Sequence, residues 1–147
     1  MHRADLTGRD WVDLAAGPHE LVMVVMTLHY FPPPRVRQLY REIRDVLTPG
    51  GLLLVAEPMP VKPPHPASPL TDPSGPVDDP WTAWWRETAR DPNLGPALAE
   101  RARMSSQASA EFLTTVDWHR AAARAAGFTA SRPVCRHGDH VLLAVHA

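Results

Sequence analysis

ELVMVVMTLHYFPPPRVRQLYREIRDVLTPGGLLLVAEPMP, from Glu20 to Pro60, decides the fold. Leu21 to Met26 is a short apolar run of Leu, Val and Met, too brief for an ordinary helix and suited to a parallel, central strand buried on both faces. Between Arg35 and Leu47 the apolar residues Val36, Leu39, Tyr40, Ile43 and Leu47 recur at helical spacing, while Arg35, Arg37, Gln38, Arg41, Glu42 and Arg44 are expected to face water. Pro34 suits a first helical turn, where no amide hydrogen is needed, and Pro49-Gly50-Gly51 stops the helix ahead of a second apolar run, Leu52 to Ala56. The unit is strand, helix, strand. A crossover helix of this length joins neighbouring parallel strands, so half of an open α/β sheet follows from these residues alone.

Working outward, Asp5-Leu6-Thr7-Gly8 has the composition of a turn that follows a strand, and Asp10 to Leu14 that of a short helical or irregular connector. On the other side, 58–80 holds nine of the 17 prolines and is expected to be a surface loop. Two short helical patterns occupy 81–112, the first with Trp81, Trp84 and Trp85, the second with Leu94, Leu98 and Ala102, broken near Asp91-Pro92. From 113 to the end the spacing predicts a helix over 117–126, with Asp117 as N-cap and Trp118, Ala121, Ala122 and Ala125 as its buried stripe, stopped by Gly127. Strands over 129–136 and 140–146 flank the turn His137-Gly138-Asp139-His140 and form an antiparallel hairpin.

At 147 residues and 44% hydrophobic, the chain suits one domain with a sizeable core. A formal net charge of −1 with interspersed signs offers no basic stripe for nucleic acid or an anionic membrane. The single cysteine, Cys135, excludes an internal disulfide and a cysteine-based zinc site. No signal-peptide pattern and no span-length apolar run is present, and a cytoplasmic protein acting on a small molecule is expected. His137 and His140 stand close together, but a hairpin turn with no third ligand at a recognisable spacing predicts no metal site.

Asp5-Leu6, Glu20-Leu21-Val22, Thr27-Leu28-His29-Tyr30, Leu39-Tyr40-Arg41-Glu42, Leu47-Thr48-Pro49-Gly50-Gly51 and Ala125-Ala126-Gly127-Phe128, in this order, resemble the class I S-adenosylmethionine-dependent methyltransferases. The Trp84-Trp85 helix, Ala99-Glu100-Arg101, Trp118-His119 and Gly138-Asp139 are similar to the bacterial small-molecule branch. The resemblance covers nearly the whole chain and implies an α/β, Rossmann-like methyltransferase sheet, incomplete at its N-terminus, with a small helical insertion and a closing hairpin. Its implied activity is methyl transfer from S-adenosylmethionine to a small-molecule acceptor. The family's Gly-rich loop and the acidic residue that binds the cofactor's ribose have no counterpart here, and by the resemblance they would precede Met1. Cofactor binding by this chain alone is therefore expected to be weak or absent. A truncated relic or non-catalytic interaction protein is the alternative, and a dinucleotide-binding enzyme lacks its glycine fingerprint.

The resemblance assigns Asp5 to the adenine amino group, with Leu6 beside it and Asp10 as the second candidate. Asp5 in an Asx-type turn is the competing account. Trp11 either flanks the adenine or packs in the core, and large aromatics mostly serve burial. Thr27 and Leu28 are placed along the cofactor at the end of the central strand. His29 leaves the same strand end and is either the base that deprotonates the acceptor or a residue that caps and packs the strand end. Glu57 ends the next strand and either touches the acceptor or is a solvated loop residue. The tryptophans of 81–85 either cover an apolar acceptor or pack on the sheet. Because the neighbour of the 21–26 strand is missing, its edge is expected to self-associate or to need a partner supplying the N-terminal half, and a lysine at Val24 is expected to suppress this.

Overall fold

The computed structural model describes residues 3–62, 80–100 and 112–147, without the side chains of 80–82 and 85. In chain order the elements are helix α1 (Trp11–Ala15), strand β1 (His19–Val25), a 3₁₀ turn (Leu28–Tyr30), helix α2 (Pro33–Val46), strand β2 (Leu47–Pro58), helix α3 (Pro80–Thr88), helical residues 95–100 (α4), helix α5 (Val116–Ala125), and strands β3 (Ala130–His137) and β4 (His140–His146). The sheet order is β1-β2-β4-β3. β1 and β2 are parallel, as a helical crossover requires, whereas β4 runs antiparallel to both β2 and β3.

Three prolines begin α2: Pro32 is its N-cap and Pro33 and Pro34 fill the first turn, where their missing amide hydrogens cost nothing. The helix ends at Val46, and β2 starts directly at Leu47, so Thr48 to Gly51 form an irregular lead-in between the His19↔Leu47 and Leu21↔Leu52 pairs. Gly50 takes φ +78 there, a conformation that favours glycine. Gly17 matters for a different reason: a Cβ on it would lie 2.8 Å from the Val46 carbonyl, so only glycine lets the chain pass the end of α2 on its way into β1.

One face of the sheet is covered by α2 and α5. Val36, Leu39, Tyr40 and Ile43 of α2 meet Leu53 and Val55 of β2, Val141, Leu143 and Val145 of β4, and Ala122, Ala123 and Phe128. Each fully buried branched side chain in such a cluster contributes about 1.5–3 kcal/mol. The buried stripe of α5 is His119, Ala122 and Ala123, rotated from the stripe expected from the sequence: Ala121 and Ala125 are exposed. The cap differs as well, since Thr115, not Asp117, accepts the Trp118 amide. Helix α2 also departs from its expected polar face. Glu42 is fully buried and Arg35 nearly so, for the reason given below.

β1 is the edge strand of the described sheet, and it is not buried on both faces. Val22 and Val24 pack on the core while Leu21, Met23 and Val25 are 49%, 60% and 53% exposed. The expected loop over 58–80 falls largely outside the described residues; of the second helical pattern, Leu94 and Leu98 are described, Leu98 within α4, and Ala102 lies outside them.

Candidate functional site

The carboxyl ends of β1 and β2 are joined through one side chain. Glu57, the penultimate residue of β2, follows Leu53 and Val55 at two-residue spacing and so points to the covered face, where it is 2% exposed. β1 pairs with β2 up to Met26, whose amide donates to the Ala56 carbonyl, and Met26 then takes φ +48, which turns the chain sharply. That left-handed conformation costs a non-glycine residue about 1–2 kcal/mol. It brings the next three residues over Glu57. One carboxylate oxygen accepts from the Thr27 amide at 2.5 Å and the Leu28 amide at 2.7 Å, and the other contacts His29 Nδ1 at 2.6 Å.

A carboxylate only accepts, so Nδ1 carries the hydrogen of that bond and the ring's other nitrogen, Nε2, is left with its lone pair in the neutral imidazole. A carboxylate behind a histidine fixes both tautomer and ring orientation. His29 is 4% exposed, its ring lies 4.1 Å from that of Tyr30, and its carbonyl accepts the Phe112 amide at 2.7 Å. Phe112 in turn packs edge-on against Trp118, over which the Arg37 guanidinium sits at 4.7 Å. The pair is thus held from β1, β2, α2 and the segment before α5. Glu57 is no solvated loop residue. Sequence reasoning proposed His29 and Glu57 separately and missed their pairing, although the alternation Leu53, Val55, Glu57 carried the signal.

The N-terminal segment is tied to α2 through a second buried carboxylate. Glu42 accepts two bonds from Arg35, at 2.8 and 2.9 Å, one from Trp11 Nε1 at 2.8 Å and one from Gln38 at 3.0 Å. Burial would raise its carboxyl, but the bonds from Arg35 and Trp11 outweigh this and hold it below the ordinary carboxylate range. Arg35 also donates to the carbonyls of Leu6 and Gly8. Because Arg35 stands in the first turn of α2, Leu6 and its neighbour Asp5 lie at the same end of the layer as Thr27 and Leu28.

Asp5 itself is exposed and forms the Asx turn: its Oδ1 accepts the Thr7 amide at 2.8 Å, and the Thr7 bonds hold its carboxyl below the usual range. Trp11 packs against the core and spends its indole hydrogen on Glu42. Asp10 precedes α1 with no side-chain capping bond. Leu28 is buried, and Thr27 directs its hydroxyl to the Val25 carbonyl. The amides of Thr27 and Leu28 are both committed to Glu57, so a ligand at this strand end would meet side chains and carbonyls there. Trp84 is half-exposed, while the side chains of Trp81 and Trp85 lie outside the described residues. Among the described residues no three His, Cys, Asp or Glu side chains are grouped as a metal site, and no helix is long and apolar enough to cross a membrane.

No protein-family model and no curated protein matches the chain. Solved structures do. An O-methyltransferase family protein from Burkholderia thailandensis superposes with a TM-score of 0.59 at 19% identity, over 99% of this chain and 34% of that one. Human N-acetylserotonin methyltransferase in complex with S-adenosylmethionine gives 0.54 at 16% identity, over 99% and 32%. PigF, in its complex with S-adenosylhomocysteine, gives 0.57 at 17%, over 95% and 33%. The fold is therefore the α/β, Rossmann-like one of class I S-adenosylmethionine-dependent methyltransferases. The chain spans about a third of the length of the structures it matches.

Proposed function

We propose that this chain is the acceptor-side portion of an S-adenosylmethionine-dependent methyltransferase for a small molecule, with His29 as general base and Glu57 as the residue that positions it. The observation that carries the reading is the 2.6 Å Glu57–His29 contact at adjoining strand ends, within a methyltransferase fold. In open α/β sheets such ends border the ligand crevice. The cofactor supplies an electrophilic methyl group on a sulfonium. His29 Nε2 would take the proton of an acceptor hydroxyl as the oxygen–methyl bond forms and the sulfur–methyl bond breaks. The residues present fit one side of that cofactor: Asp5 and Leu6 stand at the same end of the layer as Thr27 and Leu28, while the sequence holds no Gly-rich loop to approach its methionine part. Binding by this chain alone should be no tighter than about millimolar, or roughly −4 kcal/mol.

The test is His29→Ala in a polypeptide containing this chain that shows methyl transfer. Turnover should fall about a hundredfold or more with cofactor affinity unchanged. A lower melting temperature with unchanged turnover would reduce the pair to a strand-end clamp. The second reading is a non-catalytic interaction protein, favoured by the exposed Leu21, Met23 and Val25 on the edge strand. In either case the occupant of that surface would be a second copy or further residues of the fold, in this polypeptide or a partner. A cytoplasmic location completes the proposal.

A further inference from the structure

The opposite edge of the sheet carries a separate feature that methyl transfer does not use. Between the end of α5 and the start of β3 lies a cavity of about 240 Å³ lined by Arg120, Ala123, Arg124, Phe128, Thr129, Ala130 and Ser131. The sheet order β1-β2-β4-β3 puts three strand spacings, about 14 Å, between its β3 wall and β1, whose end leads into His29.

Two guanidinium groups one helical turn apart border this cavity, and the chain itself leaves them largely uncommitted. The Nε of Arg120 is buried and has no acceptor among the described residues. Closed to water, it is closed to a ligand as well, so any anion would be met by the exposed part of the same side chain, which is 42% exposed. Its ion pair with Asp117 is 3.6 Å long, beyond a charge-assisted hydrogen bond, and Asp117 is itself largely solvated. Arg124 stands in the last turn, where an arginine commonly bonds the final helix carbonyls. Here that task is already done: the carbonyls of Ala122, Ala123 and Arg124 accept the amides of Ala126, Gly127 and Phe128. The Thr129 hydroxyl donates to the His146 carbonyl, while the Ser131 hydroxyl has no partner among the described residues. The helix carboxyl end adds a partial negative charge of about one half, which two guanidinium groups exceed.

We infer that this cavity is a binding site for a tetrahedral oxyanion of the phosphate class, either inorganic phosphate or the phosphate group of a small monoester, held by Arg120 and Arg124 with the Ser131 hydroxyl as a further donor. The volume is below that of pockets for drug-sized ligands and leaves room for a phosphate group together with a small esterified part. Planar forks of N–H donors are the preferred partners of phosphate oxygens. The site stands independently of the methyl-transfer reading, since neither residue touches the Glu57–His29 pair.

The experiment is calorimetric titration of the whole chain with sodium phosphate and with methyl phosphate, against sodium chloride at matched ionic strength. Saturable heats with either phosphate and none with chloride are expected, and tighter binding of the ester would identify the phosphate of a larger molecule as the ligand. Arg124→Gln, an exposed substitution that leaves the core alone, should weaken binding roughly tenfold, the loss of one charge-assisted bond. Arg41→Gln, an exposed arginine on α2, should leave it unchanged. Heats equal to those of chloride, or equal weakening by both substitutions, would overturn the site. Methyl transfer retained in Arg124→Gln, or lost in His29→Ala with phosphate binding intact, separates this proposal from the preceding one.

Discussion

The two faces of the sheet are built from equally apolar sequence and have opposite environments. On one, Val22, Val24, Leu53, Val55, Leu143 and Val145 lie under α2 and α5, and every carboxylate admitted there, Glu42 and Glu57, is met by several donors. On the other, the pairs Leu21↔Leu52, Met23↔Leu54 and Val25↔Ala56 continue across to β4 through Leu52↔His146, Leu54↔Ala144 and Ala56↔Leu142, His146 being the one polar residue in these three rows. The edge residues of that second face are about half exposed. An apolar run that alternates with nothing polar is the mark of a strand meant to be covered on both sides. The comparison teaches that this sequence is written for two coverings, of which the described residues supply one.

The sharpest way to break the covered face is to remove a buried carboxylate while leaving its donors behind. Glu42→Ala strands the Arg35 guanidinium, which is only 10% exposed, together with the Trp11 indole hydrogen, so a loss of about 3–5 kcal/mol is expected. Urea titration followed by far-UV circular dichroism measures it. A loss below about 1 kcal/mol would mean that Arg35 and the N-terminal segment swing out to water at little cost, and that the node does not hold Asp5 and Leu6 in place.

A smaller effect on the same face comes from protons. His119 is buried beside Tyr40, whose hydroxyl lies 2.9 Å from its Nδ1, and burial pushes the imidazole down to about 4 while the nearby Glu57 charge opposes this. The same burial raises the Tyr40 phenol. His119 is neutral in the folded protein, so its contribution to stability is complete above about pH 6.5, the unfolded value, and is lost as pH falls towards 4. Between pH 6.5 and 5 the loss should be about 2 kcal/mol. Comparing urea midpoints at pH 7 and 5 for the wild type and for His119→Gln isolates this group from His29, which both proteins retain. An equal pH dependence in the two would show that His119 takes its proton in the folded state without penalty.

These buried groups mark where the sequence stops being legible. The strand, helix, strand unit and the closing hairpin follow from apolar period and from Pro and Gly placement, because those are local properties of the backbone, whereas the apolar run of β1 alone reads as a central strand and only the family resemblance implied its open edge. Glu42 is buried against expectation because its partners Trp11 and Arg35 lie 31 and 7 residues away, and no local pattern announces a carboxylate whose donors come from elsewhere in the chain. The α5 stripe shifted for a related reason: a histidine counted as polar is buried because Tyr40 satisfies it from 79 residues away. Of the candidate site, Thr27, Leu28, His29 and Glu57 were placed by strand ends, whereas the bonds among them depend on the left-handed turn at Met26, a position where the sequence offers no glycine to signal it.

The open face yields the smallest expected change in stability and the clearest change in behaviour. The sequence alone suggested a lysine at Val24 to suppress association, but Val24 packs against the core beneath α2, and a charge there would attack the covered face instead. Met23 is the position that tests the open one: it is 60% exposed, lies in the middle of β1, and pairs with Leu54 on the uncovered side. Met23→Lys removes no buried contact and should shift stability by no more than about 0.5 kcal/mol. It should nevertheless reduce self-association, because a lysine on an edge strand opposes both edge pairing and face-to-face burial of Leu21 and Val25. Light scattering over a range of concentrations decides the matter: the wild type should gain mass with concentration and Met23→Lys should not. A wild-type chain that stays monomeric throughout would mean that the open face is covered from within the same polypeptide, and the comparison between the two faces would then become one between two coverings of a single chain.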